Sequence, residues 1–532
     1  MSAVRARPRG LSGDNTLGQF ALAGAAAVIA LLAVRKFGIA GLAAPIVLAL
    51  GVAVFLRPTV AVGLTVALTI LCEGPTFGVS VTAELYRNLY GGLEPLDLLV
   101  VMSFFSVGFD LLRRRRPPRL PATPALALLL VVLAGLSGLV VGHGAGVGLK
   151  EAALSLHVLP FLIMMPLAVY NLDLDEAQMV SAVRWLLVLV EIKAIAGLIV
   201  MKMGLSEDLD TGTTITYYEP TANWLTMIGI LGLLGAGLGG ALRPEFARLR
   251  GPRALSRRSR RPPGHIRATL GRWGEHVNGR LLLLGLPLPV ACLLLSYRRS
   301  FWIATVVGVL LVVALASTPR KRVTIVISVL AIAGGVWAIG ATTFQAQSPI
   351  VQRVQSLSPN NLEANAEDRY RLDERANVIA EIKQNPIGGL GADVPWVAIA
   401  RPLGIEHVGG RLYVHFAFLW WWLKLGILGA AAYLALLASM ALLGFRTWRR
   451  HTIPELRYFG LASLCAVAGL VAIETTASFT GVDARFSVIF GAQLGLLAAM
   501  AAKAPLRYPT PWRAPAADEP SAASEITPAI SS

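Results

Sequence analysis

Apolar runs long enough to cross a bilayer, roughly 20 residues each, recur along nearly the whole chain between short polar stretches. They fall near residues 17–34, 38–56, 59–72, 96–112, 122–142, 152–170, 180–203, 221–242, 281–296, 301–318, 323–342, 413–443, 458–474 and 484–502. Lipid offers no partner for an unpaired backbone N–H or C=O, so runs of this length satisfy their own backbone as helices. The pattern predicts an all-α, polytopic transmembrane helical bundle of about 14 spans, eleven within 17–342 and three within 413–502. Residues 1–16 precede the bundle. After Lys503 the chain is rich in Pro, Ala and Ser and loses apolar periodicity, so 503–532 is expected to be a disordered tail. One interval breaks the rhythm: residues 343–412 form a long, charge-rich segment between spans 11 and 12.

Composition fits this class. Of 532 residues 55% are hydrophobic, only 15% are charged, and mean hydropathy is +0.63, against about 25% charged residues in a soluble domain. The net charge of +17 could suggest nucleic acid, but its placement argues otherwise. The basic residues cluster in short blocks: Arg113–Arg116 with Arg119, Arg320–Lys321–Arg322, Arg446 with Arg449 and Arg450, and the stretch Arg243–Arg280 with Arg257, Arg258, Arg260 and Arg261. With both termini cytoplasmic, every one of these blocks lies inside, as topology requires, with attraction to anionic lipid as a further consequence. No nucleic-acid partner is expected. Seven of the outward basic residues sit in 343–412 alone, and long segments escape the charge rule. The first apolar run follows Arg5, Arg7 and Arg9 as a signal peptide would, but without a cleavage site it reads as a retained helix. Cys72, Cys292 and Cys465 all lie in apolar runs, with no metal or disulfide spacing.

A connection as long as 343–412 usually carries function. Within it, Leu372, Ala376, Ile379 and Ile382 recur at helical spacing and predict an amphipathic helix against the bundle. Asn385–Pro386 ends it, and Gly388, Gly389 and Gly391 predict a flexible turn where backbone could approach a ligand. Arg369, Arg371 and Arg375 place three guanidinium groups at the helix start, and Arg371 and Arg375 share a face. Guanidinium forks match phosphate oxygens; the competing reading pairs these arginines with Asp368, Asp373 and Glu374. A second outward pair, Arg298–Arg299, stands on a very short turn where topology does not explain it. His415 marks the return to the membrane and is a candidate general base. Trp420–Trp422 read as an interfacial belt or a sugar-stacking surface, and Lys424 as needing a partner such as Glu191 or Glu474.

Three pieces, in order, resemble the O-antigen ligase and polymerase superfamily of membrane glycosyltransferases. They are SYRRSFWIATVVGVLLVV, then an arginine followed by LDERANVIAEIKQ, Asn-Pro and IGGLG, then LYVHFAFLWWWLKLGILG. They cover roughly 296–430, with YYEPTANW at 217–224 a weaker fourth match. Phe416 stands where the family usually has Asn. The resemblance implies a metal-independent, inverting glycosyltransferase without cofactor. It would move a glycan from a polyprenyl (undecaprenyl) diphosphate donor to a glycan or lipid acceptor hydroxyl, outside the plasma (inner) membrane. It assigns catalysis to His415 and Arg371, and diphosphate binding to Arg298, Arg299, Arg375 and Arg369. The rival readings are a flippase for lipid-linked oligosaccharides or another secondary transporter, and a non-catalytic envelope scaffold. Against transport, no internal repeat is evident and the notable charges gather at the outer rim rather than along a path.

Overall fold

The computed structural model describes residues 50–72, 84–86, 92–204, 220–238, 286–296, 298–317, 366–403 and 410–504. The runs near 17–34 and 323–342, most of 38–56, the basic stretch Arg243–Arg280, the start of the long segment and the tail lie outside them. Among the described residues the longer elements are all helices: α1 (Pro58–Leu71), α2 (Pro95–Arg113), α3 (Ala125–Gly144), α4 (Leu149–Ser155), α5 (Phe161–Asn171), α6 (Glu176–Lys202), α7 (Pro220–Leu238), α8 (Pro287–Leu295), α9 (Arg299–Ala316), α10 (Ala366–Gln384), α11 (Ala417–Arg450), α12 (Pro454–Ile473) and α13 (Ala484–Lys503). Seven of these, α2, α3, α7, α9, α11, α12 and α13, are long and apolar enough to cross a membrane. The run at 152–170 is two helices, α4 and α5, rather than one span; Pro160, which has no N–H to donate, stands at the break.

The bundle is built around α11, α12 and α13. Helix α11 packs against α12 and α3, α13 against α5, and α12 also against α9 and α7. Small residues set the closest crossings: a Cβ on Gly444 would lie 2.9 Å from the Gly460 carbonyl oxygen, and one on Gly495 2.6 Å from that of Pro166. Without a hydrophobic drive between helices in lipid, such close backbone approach supplies the packing. Outward faces are apolar instead, with Leu126, Leu129, Leu136 and Val140 of α3 all more than half exposed, as a lipid-facing surface requires.

One end of the bundle is tied by charges. Asp173 accepts from Arg116 at 2.9 Å and Lys503 at 3.1 Å, Arg184 meets Glu455 at 2.7 Å, and Arg446 donates to Thr123. Arg113–Arg116, Arg446, Arg449 and Arg450 thus share an end, as their charge pattern predicted.

At the other end the glycine turn after α10 differs from its sequence reading. Gly389 and Gly391 have positive φ (71° and 95°) and are closely packed: the backbone that approaches them is the protein's own, not a ligand's. Helix α11 is broken at Gly426 (φ 65°, ψ −159°), which frees backbone groups of its first turns. The turn takes them up, with Leu390 N–H donating to Leu423 O at 2.6 Å and Ile427 N–H to Ile387 O at 3.0 Å, and it is tied to α3 by Ala392 N–H donating to Gly138 O at 2.9 Å. A break at membrane depth survives only when its freed groups are paired in this way. Gly426→Ala places a Cβ 2.0 Å from the Ile387 oxygen in a conformation open essentially to glycine alone. Strain of about 1–3 kcal/mol and overpacking of similar size are expected to combine. The thermal midpoint in detergent should fall sharply, and a variant melting like the wild type would refute this account of the turn.

Candidate active site

Helix α10 presents a polar face inward. Tyr370, Glu374, Asn377, Val378, Glu381 and Ile382 are buried, whereas Leu372, part of the predicted apolar stripe, is 44% exposed. Of the other stripe positions Ile382 is buried and Ala376 and Ile379 are half-buried, so the apolar stripe lies along the edge of the buried face and polar side chains occupy its centre. The inward polar groups hold the following extended chain: Asn377 Oδ1 accepts from the N–H groups of Ala400 (2.7 Å) and Arg401 (2.8 Å), its Nδ2 donates to Arg401 O (2.8 Å), and Glu381 accepts from Val397 N–H (2.9 Å). Buried polar atoms with these partners fix a segment that has no ladder of its own.

That segment leads to Tyr413 and His415. The stretch before α11 is strapped to the loop after α12: Ser478 Oγ donates to Val414 O (2.5 Å), Ala417 N–H to Glu474 O (3.1 Å), and Ser478 N–H to the Tyr413 hydroxyl (3.1 Å). Glu474 anchors the loop by accepting from Tyr433 Oη (2.6 Å) and Thr480 N–H (2.7 Å). His415, 5% exposed, has both its backbone N–H (2.9 Å) and its Nδ1 (3.0 Å) on Glu374 Oε2. The rings of Tyr413 (4.9 Å between centroids) and Tyr370 (6.0 Å) stand edge-on to the imidazole.

The arginines separate into groups. Arg298 and Arg371 both act on the Tyr413 hydroxyl. Burial pushes that phenol up to about 12, Ser478 draws it down, Glu374 adds to the rise, and Arg371 and Arg298 oppose it. Arg298 also faces Asp483, whose carboxyl burial raises while the N–H groups of Phe486 and Arg485, the Thr221 hydroxyl and then Arg298 favour its charge. Arg298 caps α9 and Arg299 is its first residue. Cations at the positive end of a helix dipole are unfavourable unless an anion joins them. For Arg299 that anion is Asp368, at 3.0 and 3.1 Å from one guanidinium nitrogen. Arg375 is exposed and lies over the Phe416 ring at 5.4 Å. Arg369 is exposed at the helix start.

The carboxylates expected to neutralise the α10 arginines pair elsewhere: Asp368 holds Arg299, Asp373 holds Arg401 (3.3 Å), and Glu374 holds His415. Tyr413 thus stands against His415 and within electrostatic reach of Arg371 and Arg298, while Arg375 and Arg369 are exposed on α10. Tyr413 and Asp483 were not singled out by sequence reasoning. A tyrosine two residues from the candidate base carries no distinctive spacing, and Asp483 reads as an ordinary helix cap until Arg298 is placed against it.

Two nearby expectations are corrected. Trp420 and Trp421 are buried rather than interfacial, and Trp421 Nε1 donates to Thr480 O at 2.8 Å. Trp422 Nε1 donates to Pro386 O at 2.8 Å, so the three rings pack the α11 start against its neighbours. Lys424 donates to Val394 O rather than to Glu191 or Glu474.

Residues 284–434 match the family model described as O-antigen ligase, which supports assigning the chain to the O-antigen ligase and polymerase family. The matched stretch holds all five candidate arginines and the histidine. No curated protein matches the chain.

Proposed function

Because residues 284–434 carry an O-antigen ligase domain, we propose that the protein is a membrane glycosyltransferase acting on a polyprenyl-diphosphate-linked glycan. The observation that carries this reading is the convergence of Arg298, Arg371 and the Glu374-held His415 around Tyr413, at the end of the bundle opposite the Arg113–Arg116 and Arg446–Arg450 clusters. Under the positive-inside rule those clusters face the cytoplasm. The site then opens on the outer side of the plasma membrane, with both termini inside and about 14 spans in all.

Arg298 and Arg371 grip the diphosphate and stabilise the charge that grows on it as it leaves; Arg299 supports them, with Arg375 and Arg369 at the entrance. His415 accepts the proton of an acceptor hydroxyl. The acceptor oxygen forms its bond to the anomeric carbon as the bond from that carbon to the diphosphate oxygen breaks. The bonding pair departs with the polyprenyl diphosphate, and a single displacement inverts the anomeric centre. The guanidinium groups carry the charge neutralisation that a divalent cation provides elsewhere, so the reaction runs without added metal. The acceptor is a sugar hydroxyl on a lipid core or on a second lipid-linked glycan.

The test is full-length protein in nanodiscs with a polyprenyl-diphosphate oligosaccharide, a sugar acceptor and EDTA. Release of polyprenyl diphosphate with a transferred or lengthened glycan is expected. No product, together with donor crossing between leaflets of a proteoliposome, would replace the transferase with a flippase.

A further inference from the structure

Three side chains on the inward face of α10 bind backbone N–H groups, and two of them, Asn377 and Glu381, tie down the extended chain that follows the helix. Glu374 differs. Its Oε2 accepts from the backbone of His415 at 2.9 Å and also meets His415 Nδ1 at 3.0 Å, with the two side chains 1% and 6% exposed. A carboxylate oxygen accepts only, so Nδ1 must be the protonated nitrogen. In a neutral imidazole the proton then leaves Nε2 bare as the acceptor. Tyr370 and Tyr413 stand edge-on to the ring and limit its rotation.

We propose that Glu374 is a positioning residue for the transfer reaction: it fixes the tautomer and aim of His415 and balances the imidazolium that forms when His415 takes a proton. The proposal rests on the transferase reading above. As the acceptor hydroxyl attacks, its proton passes to His415 Nε2, the new glycosidic bond forms, and the electron pair of the broken bond leaves on the diphosphate. Glu374 stays ionised throughout and supplies the counter-charge. Arg371 precedes Glu374 by three residues on α10, so one rigid helix carries a diphosphate-facing arginine and the carboxylate that sets the base.

The competing account is that Glu374 is only another backbone tie, like Glu381. Glu374→Gln separates the two, because its amide oxygen can still accept both N–H groups while the charge is gone. Among the groups facing His415 are Glu374 and Tyr370 from α10 and Tyr413 from its own segment, with Arg371 and Arg298 within electrostatic reach of Tyr413. Glu374 is the acid among them, so its neutralisation makes the imidazolium harder to form. Glu374→Gln is expected to lower kcat about 10- to 100-fold, the size seen when a metal-bound histidine loses its carboxylate partner. Donor KM stays within about twofold, and the acidic limb of the pH–rate profile moves to lower pH. Glu374→Asp, which keeps the charge, recovers part of the rate relative to Glu374→Ala. Wild-type kcat and an unmoved pH profile in Glu374→Gln would reduce the residue to a structural tie. Independently of turnover, nitrogen NMR of labelled protein, assigned against His415→Gln, is expected to show His415 protonated at Nδ1 and bare at Nε2 near neutral pH. The opposite tautomer overturns the proposal even if transfer is observed. A wild type that transfers no glycan overturns the catalytic reading itself, while the tautomer still reports whether Glu374 sets the ring.

Discussion

His415→Ala is expected to slow glycan transfer by about 10²–10⁴-fold, the range a positioned general base contributes, while the protein still folds and still binds donor. The side chain is nearly buried and its ring is held by Glu374 and two tyrosines, so alanine leaves a small polar hole, not a rearranged site. The backbone N–H of residue 415 can still donate to Glu374, preserving the tie between α10 and the start of α11. The loss should therefore fall on kcat, with donor KM little changed. Initial rates over a range of donor concentrations, with membrane abundance followed in parallel, provide the check. Near-wild-type kcat would remove His415 from the chemistry and return the base to an unidentified group.

Arg371→Ala is expected to cost about 10²–10³-fold in kcat/KM, since a donor aimed at the developing charge of a leaving group is worth that much. Unlike the histidine change, it should raise donor KM as well as lower kcat, because the diphosphate is charged before and after bond cleavage. Arg371→Lys is the more informative variant. It keeps the charge but loses the planar fork that meets two phosphate oxygens at once, so it should recover only a minor part of the rate. Full activity in Arg371→Ala would remove the diphosphate from this corner. The paired guanidinium of Arg299 makes a useful contrast: Asp368 already neutralises it, so Arg299→Ala should cost less than Arg371→Ala.

The corrections share a physical origin. Periodicity weighs apolar residues, and along α10 it found Leu372, Ala376, Ile379 and Ile382. The helix buries Ile382 but also turns Glu374, Asn377 and Glu381 inward, because the chain that follows it has buried N–H groups that need acceptors. The same need explains the glycines. Gly389 and Gly391 looked like room for a ligand, but the broken helix at Gly426 required a partner of main chain, and only residues without Cβ admit it.

The sequence by itself determined the all-helical membrane class, the common end of the described basic clusters Arg113–Arg116 and Arg446–Arg450, a helix over 372–382 (the structure extends it to Ala366–Gln384) with its stop at Asn385–Pro386, and the identity of the arginines and histidine worth testing. Those features are local: span length, charge between spans, a residue type at a short spacing. Tertiary structure decided which of six candidates come together. Arg298 and Arg371 are 73 positions apart and His415 a further 44; no pattern along the chain says that they meet at Tyr413, that Asp368 occupies Arg299, or that Glu374 serves the histidine rather than an arginine. Charge pairing in a bundle depends on which helix ends share a rim, and that is fixed by packing between distant segments.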